Sequence, residues 1–241
     1  MEWRRARVTS VTEETPSATT IVLEPPAGWP GHTAGQHVDV RLTAETGYQT
    51  ERAYAIASAP EDAKLALTVE RIAEGEVSPY LTGGLRAGDE LELRGPIGGS
   101  FTWRVADGGP LLLVADGVGL VPLMAMLRHR AARACTVDAR LLASARSLAD
   151  ALYRDELERL SQGEGLTVYH SFTPEPPADW SGFARPVDAD MLRMVGPSAA
   201  RRPRAFLSGS TAFVGRVADQ LEALGHTPAA IRAEDFGPTA G

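Results

Sequence analysis

The residue pair Arg52 and Tyr54 could hold a phosphorylated aromatic ligand. The two residues are separated by one position in a run that is typical of a β-strand, so alternation places both side chains on one face. A guanidinium can bind a phosphate through its fork of N–H donors, and a tyrosine ring can lie flat on a planar aromatic group. An exposed arginine beside a half-buried tyrosine is also common in any barrel, so the pair alone leaves both interpretations open.

A second candidate site is the segment 111–127, which reads as an apolar strand, a glycine-rich turn and an apolar helix. The turn is Ala115-Asp116-Gly117-Val118-Gly119-Leu120-Val121-Pro122. Proline suits the first turn of a helix, where its missing N–H has no effect. A glycine-rich turn between a strand and a helix is the context that a loop binding nucleotide phosphates requires.

Two shorter glycine segments lie between these motifs. In Gly75-Glu76-Val77-Ser78, backbone N–H groups at the start of a short helix predicted at 77–85 and the Ser78 hydroxyl could bind an anion. Ser78 could equally cap its own helix. The glycines of Gly95-Pro96-Ile97-Gly98-Gly99-Ser100-Phe101 could let the backbone approach a cofactor or could form a tight barrel corner.

The elements that position these motifs divide the chain into two parts. Short alternating strands separated by turns predict an antiparallel β-barrel in the N-terminal part. These strands are predicted at 5–11, 19–23, 38–42, 49–56, 65–71 and 90–94. After a predicted hinge at 106–110, strands at 111–114, 137–143, 166–170 and 205–207 alternate with helices at 122–134, 153–160, 188–195 and 211–224. This order predicts a Rossmann-like parallel sheet with helices on both faces, and the proline-rich segment 167–190 is predicted to be a long loop. We therefore expect a barrel domain at 1–105 and an α/β domain at 110–241.

Composition excludes several classes of function. The chain has 241 residues, of which 44% are hydrophobic, and its net charge of -7 argues against a nucleic-acid partner. The only cysteine is Cys135, which excludes an internal disulfide and a four-thiolate iron–sulfur cluster in this sequence. The histidines lack the spacing of metal ligands, so no metal site is expected, and His129 is expected on a helix surface.

The apolar segment 111–127 is not expected to cross a membrane, because it contains Asp116 and several residues that break or loosen helices. The N-terminal segment lacks the apolar core of a secretory signal. We expect a cytoplasmic protein without a membrane partner.

Together and in this order, the motifs resemble the ferredoxin–NADP reductase-like family of flavoprotein reductases. The resemblance runs from Gly35-Gln36 to Phe236-Gly237. It implies a flavin-binding barrel that holds FAD or, less often, FMN, and a nucleotide-binding lobe that takes NADPH or NADH. Hydride would pass to the flavin where the two lobes meet, and electrons would leave to a separate acceptor, either a small molecule or a redox protein. The oligomeric state stays open.

The same resemblance implies roles for particular residues. The expected flavin contacts are Arg52, Tyr54, Ala55, Val69, Arg71, Gly75, Val77, Ser78 and Phe236. The expected nucleotide contacts are Gly117, Gly119, Ser144 and Arg146. The residues expected at the point of hydride transfer are Tyr54, Ala55, Ser208 and Phe236. Phe236 could cover the flavin or pack as an ordinary C-terminal aromatic. Arg154 could join Arg146 in a clamp that favours NADPH, or it could pair with Glu158 on its own helix.

Four residues depart from the family pattern on the hydride-transfer side. Ala55 replaces a serine, Ser208 a cysteine, Asp116 a glycine and Val118 a serine or threonine. Asp116 could point to solvent from a left-handed turn, in which case little is lost. Alternatively, nicotinamide reduction is weakened and the flavoprotein acts on an organic substrate, with Asp116 as a general acid or base. A non-catalytic module that keeps only the fold is a third hypothesis.

Overall fold

The structure is a computed structural model, and it describes residues 1–236. The six strands of the N-terminal lobe are β1 (Arg4–Thr15), β2 (Ala18–Leu23), β3 (His37–Thr43), β4 (Gln49–Ala55), β5 (Leu65–Glu70) and β6 (Glu90–Ile97). They form one antiparallel sheet in the order β4-β3-β6-β1-β2-β5. Ile56, just beyond β4, pairs with Leu67 of β5 and closes the sheet into a barrel.

Apolar side chains fill this barrel because successive residues of a strand point to opposite faces. On β3, Val38 and Val40 are fully buried and alternate with less buried polar residues. They share one apolar cluster with Leu65 and Leu67 of β5, and Tyr54 of β4 packs at the margin of this cluster. The ring of Tyr54 is therefore held by the barrel core along one side.

The C-terminal lobe is a five-stranded parallel sheet with helices on both faces. Its strands are β7 (Leu111–Asp116), β8 (Ala139–Ser147), β9 (Leu166–Glu175), β10 (Arg204–Gly209) and β11 (Ile231–Asp235). Its helices are α1 (Leu120–Ala132), α2 (Arg154–Ser161), α3 (Ala189–Val195) and α4 (Thr211–Ala223). The strand order is β11-β10-β7-β8-β9, so the direction of winding reverses between β7 and β10. Together, the barrel and this sheet confirm the predicted fold class.

The two lobes share one apolar core, which joins the barrel to the α1 side of the sheet. Within it, the rings of Phe101 and Phe206 meet edge to face with centroids 5.4 Å apart. Arg128 of α1 adds a polar connection, because it donates to the Ala57 carbonyl of the barrel at 2.7 Å and to both oxygens of Glu156 at 2.8 and 2.7 Å. These contacts hold the lobes in a defined orientation.

The expectation that His129 lies on a helix surface is wrong. His129 is buried between the lobes, with Nδ1 2.9 Å from Glu61 of the barrel and Nε2 accepting from the Val105 N–H at 3.3 Å. A backbone N–H can only donate, so Nε2 is the acceptor of the contact with Val105. The residue joins α1, the barrel and the hinge.

Three elements differ from the sequence-based expectation. The strand β9 runs to Glu175 through Pro174, so the predicted loop at 167–190 is wrong in its first part. The short helix predicted at 77–85 is a single π-helical turn, Tyr80–Gly84, preceded by two helical residues. The strand β11 was not predicted, since a short polar strand at a sheet edge has no apolar periodicity. Within residues 1–236, every helix is too short or too polar to span a bilayer.

Candidate active site

The outer face of β4 brings donors together around one carboxylate. The Arg52 Nη2 atom lies 3.2 Å from Glu76 Oε2, which also accepts from the Thr50 hydroxyl at 3.0 Å. The Tyr48 hydroxyl donates to Glu76 Oε1 at 3.1 Å. These hydrogen bonds lower the pKa of Glu76, led by that from Thr50. An anion that binds Arg52 must therefore compete with Glu76 of the neighbouring glycine loop.

Tyr54 lies on the same face of β4 as Arg52, as strand alternation requires. Its ring is half-buried, and burial raises the pKa of its hydroxyl to about 12. The phenol is therefore protonated throughout the neutral range. An exposed arginine and a half-exposed ring on one surface can contact the charged and the flat parts of a single ligand.

The loop that carries Gly75 is closed by Ser78, whose Oγ accepts from the Ile72 N–H at 3.0 Å. A Cβ on Gly75 would lie 3.0 Å from both Ile72 O and Ser78 Oγ, so the loop needs glycine here. The Ser78 oxygen ties the loop to itself instead of capping the following helix, and its proton can still be donated.

Three other expected flavin contacts differ in how much of each side chain is accessible. Val69 and Val77 point into the barrel core, so only their backbone atoms can reach a ligand. Arg71 is exposed beside the same loop, with its Nη1 within 3.4 Å of the Cβ position of Gly83. The accessible side chains of this surface are therefore Arg52, Tyr54 and Arg71.

The second part of the site lies at the carboxyl ends of β7 and β10, where the sheet reverses its winding and open α/β sheets bind ligands. Gly117 has a φ of +53° and open space at its Cβ position. A Cβ on Gly119 would lie only 2.2 Å from Ser208 O. Gly117 therefore permits the turn, and Gly119 lets the start of α1 pack directly against β10.

A cleft of about 470 Å³ runs between the two lobes at this edge. The barrel contributes Thr15, Ser17, Ala18 and Glu70 to its walls. The α/β lobe contributes, among others, Asp116, Gly117, Val118, Ser144, Arg146, Asp150, Arg216 and Phe236. The cleft thus collects the glycine turn, the end of β8 and the C-terminal aromatic into one space.

Asp116 forms part of the cleft wall, and the expectation that it takes up a left-handed turn is wrong. Its backbone is extended, with φ -125° and ψ 123°, and the left-handed residue is Gly117. Burial raises the pKa of Asp116, while a hydrogen bond with Ser144 and the charges of Arg216 and Arg146 oppose the rise. A carboxylate therefore faces the space where the resemblance places a pyrophosphate.

Arg154 takes up neither of the arrangements considered for it. Its Nε lies 3.3 Å from Asp155 Oδ1, so the expected pairing with Glu158 is wrong. It lines a surface depression with Glu14 and Arg159 and is not among the residues that line the cleft with Arg146. The two arginines therefore do not line one space.

Two buried polar atoms lie on neighbouring strands near the barrel. Ser208 of β10 is 0% exposed and pairs in register with Glu234 of β11. Within the described part of the chain, Ser208 Oγ and Glu234 Oε2 are buried without a hydrogen-bond partner. Unpaired polar atoms are rare in folded proteins and are typical of places where a ligand or water completes the site. These two oxygens therefore have hydrogen-bonding capacity that the described protein atoms do not use.

Comparison with known proteins identifies this arrangement. Residues 6–103 match the family model of the oxidoreductase FAD-binding domain, and residues 113–219 match that of the oxidoreductase NAD-binding domain. Ferredoxin–NADP reductase B of Sorangium cellulosum is 34% identical over 189 residues, which are 76% of this chain and 76% of that protein. The chain belongs to the ferredoxin–NADP reductase-like family. Its flavin and nicotinamide domains are those of this family.

Other members of the family are larger. The glycine betaine monooxygenase reductase subunit of Pseudomonas aeruginosa is 29% identical over 208 residues, covering 85% of this chain and 56% of that protein. The chain thus spans a little over half the length of this curated relative.

Solved structures share the fold over nearly the whole chain. The FAD/NAD-binding domain of nitric oxide dioxygenase from Vibrio cholerae superposes with a TM-score of 0.85 at 25% identity, covering 98% and 99% of the two chains. Amycolatopsis cytochrome P450 reductase GcoB superposes with a TM-score of 0.85 at 26% identity, covering 98% and 70%.

Within this family fold, the residues expected at hydride transfer do not all line the cleft. Phe236 does, and its ring is partly exposed, so it is not packed as an ordinary core aromatic. Ala55 is 4% exposed and packs in the core that both lobes share. Ser208 is fully buried in β10 and does not line the cleft. Gly237, with which the resemblance ends, lies outside the described residues.

Sequence reasoning missed several charged residues of the site. Glu70 and Asp150 line the cleft but were not singled out, and His37, considered only as a metal ligand, approaches Glu234. Glu70 is the last residue of β5 and His37 the first of β3, so each lies at a strand end, where polar side chains can serve a site. Their position at element ends was the only available signal.

Proposed function

We propose that this chain is an FAD-dependent NAD(P)H oxidoreductase that passes electrons to a separate acceptor. In this proposal, residues 1–105 form the flavin domain and residues 110–241 the nicotinamide nucleotide domain. The observation that carries it is the cleft at the carboxyl ends of β7 and β10, which is lined by both lobes and by Phe236. Its support is the match of the two halves to FAD- and NAD-binding domains.

The barrel residues would bind and orient the flavin. Arg52 would hold a phosphate of the cofactor after leaving Glu76, and the Tyr54 ring would lie against the flat ring system. The Ser78 hydroxyl would donate to the same phosphate while its oxygen keeps the loop closed. When bound, the flavin supplies the hydride acceptor that no side chain can replace.

The α/β residues would place the nicotinamide nucleotide. Gly117 and the start of α1 would receive the pyrophosphate, because backbone N–H groups at a helix start favour anions. Ser144 and Arg146 at the end of β8 would contact the adenosine ribose. Phe236 would cover the flavin and exclude water until the nicotinamide displaces it.

The acceptor is proposed to be a redox protein. This follows from relatives that are named as the reductase subunit of a monooxygenase and as a cytochrome P450 reductase. Cys135 is the only cysteine of the chain, so a four-thiolate cluster cannot form within it. Electrons would therefore leave the flavin for an acceptor outside residues 1–241.

The test is anaerobic mixing of the FAD-loaded protein with NADH and with NADPH. Rapid loss of the visible flavin absorbance with either nucleotide supports the reductase. A flavin that only dithionite reduces would contradict it and would favour chemistry on an organic substrate. A protein that takes up no FAD at all would contradict both the flavin assignment of Arg52 and Tyr54 and the reductase.

A further inference from the structure

We propose that the cleft selects NADH over NADPH, because the Asp150 carboxylate is paired with the Arg146 guanidinium. Arg146 lies at the end of β8, where the adenosine ribose would bind. The inference rests on the proposed function, in which this cleft takes the nicotinamide nucleotide. In dinucleotide-binding sheets, the end of the second strand faces the ribose 2′-position, and an acid there accepts from the 2′-hydroxyl whereas a free arginine receives a 2′-phosphate.

The two side chains are held against each other. Arg146 Nη2 lies 3.4 Å from Asp150 Oδ1, and the Ser147 hydroxyl donates to Asp150 Oδ2 at 2.7 Å. The Ser147 bond keeps the carboxylate in place while one oxygen faces the guanidinium. Asp150 is the more buried partner, with a side chain that is 25% exposed against 68% for Arg146. A 2′-phosphate would have to separate this pair or approach its carboxylate.

The other charges of the cleft also disfavour the binding of a 2′-phosphate. Its lining includes three carboxylates, Glu70, Asp116 and Asp150, against two guanidinium groups, Arg146 and Arg216. Burial raises the pKa of Glu70, the charge of Arg146 opposes this rise, and the charges of Asp116 and Asp150 add to it, so the three carboxylates repel one another. A phosphate adds close to two negative charges at neutral pH. A ribose hydroxyl adds none and can donate to a carboxylate.

Arg154, the cation that could have completed a phosphate site, is not among the residues that line this cleft. Its Nε lies 3.3 Å from Asp155 Oδ1, and both residues line another surface depression. Near the end of β9, the uncharged Thr173 forms part of the cleft wall. Among the described residues that line the cleft, only Arg146 and Arg216 carry a positive charge, and Asp116 faces both.

The experiment measures preference in two independent ways. Steady-state reduction of ferricyanide by the FAD-loaded protein gives kcat/KM for NADH and for NADPH, and calorimetry gives the affinity of the same protein for ADP and for adenosine 2′,5′-bisphosphate. We expect NADH to have the larger kcat/KM and ADP to bind more tightly. Asp150→Asn keeps the Ser147 contact but removes the charge, and should shift both ratios toward the 2′-phosphorylated ligand by about threefold to tenfold.

Two further variants separate the role of this pair from a general charge effect. Asp155→Asn removes the same charge next to Arg154, outside the cleft, and should leave the ratios unchanged. Asp150→Asn combined with Arg146→Ala should lose the shift, because the freed guanidinium is absent. A shift of equal size in Asp155→Asn would overturn the assignment to Asp150.

The outcomes distinguish this inference from the proposed function. Larger kcat/KM for NADPH, or tighter binding of adenosine 2′,5′-bisphosphate, would overturn the inference and leave the reductase intact. If neither dinucleotide reduces the flavin but ADP still binds more tightly, the reductase proposal fails and the selectivity stands. If neither adenine nucleotide binds, the cleft is not a nucleotide site and the inference is overturned.

Discussion

Glu234 of the α/β lobe faces His37 of the barrel, with Oε1 3.7 Å from Nδ1. Burial raises the pKa of Glu234 to about 7, and the charge of Asp235 adds to the rise. Burial also lowers the pKa of His37, against the charge of Asp39. At neutral pH the histidine is therefore neutral and the carboxyl group is about half protonated, so the contact is not a stable ion pair. It places a titrating group beside the buried Ser208 on the barrel side of β11.

This relationship predicts a pH-dependent stability. The pKa of Glu234 lies above its ordinary value of 4.5, so the folded protein binds more protons than the unfolded chain between about 4.5 and 7. Stability is therefore lost as the pH rises through this window. Replacing Glu234 by glutamine removes the effect, and the variant should gain about 2 kcal/mol over the wild type above pH 7 and little at acid pH.

Urea denaturation across this pH range measures the gain. Glu222→Gln removes an exposed carboxylate of α4 and serves as the control for the loss of one charge. A constant difference between Glu234→Gln and the wild type at every pH would contradict the raised pKa.

Glu76→Gln should strengthen flavin binding. The carboxylate of Glu76 holds Arg52 at 3.2 Å and repels a phosphate, and the amide removes both effects. Because the pair is exposed and screened, we expect the Kd for FAD to fall only by about threefold. Fluorescence titration of the flavin-free protein measures it, with Glu74→Gln in the same loop as the control. Unchanged or weaker binding would show that Glu76 does not compete for Arg52.

Asp116→Asn should strengthen nucleotide binding, and the gain should depend on pH. Burial raises the pKa of Asp116, so its repulsion of a pyrophosphate weakens as the pH falls toward the acid range. We expect the variant to bind ADP about threefold more tightly at neutral pH and to converge with the wild type at low pH. Calorimetry at several pH values measures both. A general acid or base role for Asp116 would instead appear as lost activity with unchanged ADP affinity.

Gly119→Ala should destabilise the fold more than Gly117→Ala. The new Cβ at 119 would lie 2.2 Å from Ser208 O, so the start of α1 must move away from β10 at a cost of about 3 kcal/mol. At 117 the space is open, and only the φ of +53° is unfavourable, at about 1 kcal/mol. Urea denaturation of the two variants compares them. Gly119 has an ordinary helical φ of -57°, so equal losses would mean that the contact with β10 is relieved at little cost and does not require glycine at 119.

The sequence predicted most elements because their local patterns are strong. The strand expected at 38–42 is β3 (His37–Thr43), since Val38 and Val40 alternate with polar residues and fill the barrel. The prediction of a loop at 167–190 is wrong in its first part because β9 is an edge strand, where a proline such as Pro174 removes no bond that a central strand would need.

The sequence by itself determined which motifs are present and in what order, and from these the barrel, the parallel sheet and the glycine turn before α1. These depend on residues that are near each other in the chain. Only the tertiary structure decided that Glu76 binds Arg52, that Asp116 faces the cleft, and that Glu234 meets His37. Such contacts do not follow from local periodicity: packing within the barrel brings Glu76 to Arg52, and the packing of the two lobes brings Glu234 to His37 and forms the cleft that Asp116 faces.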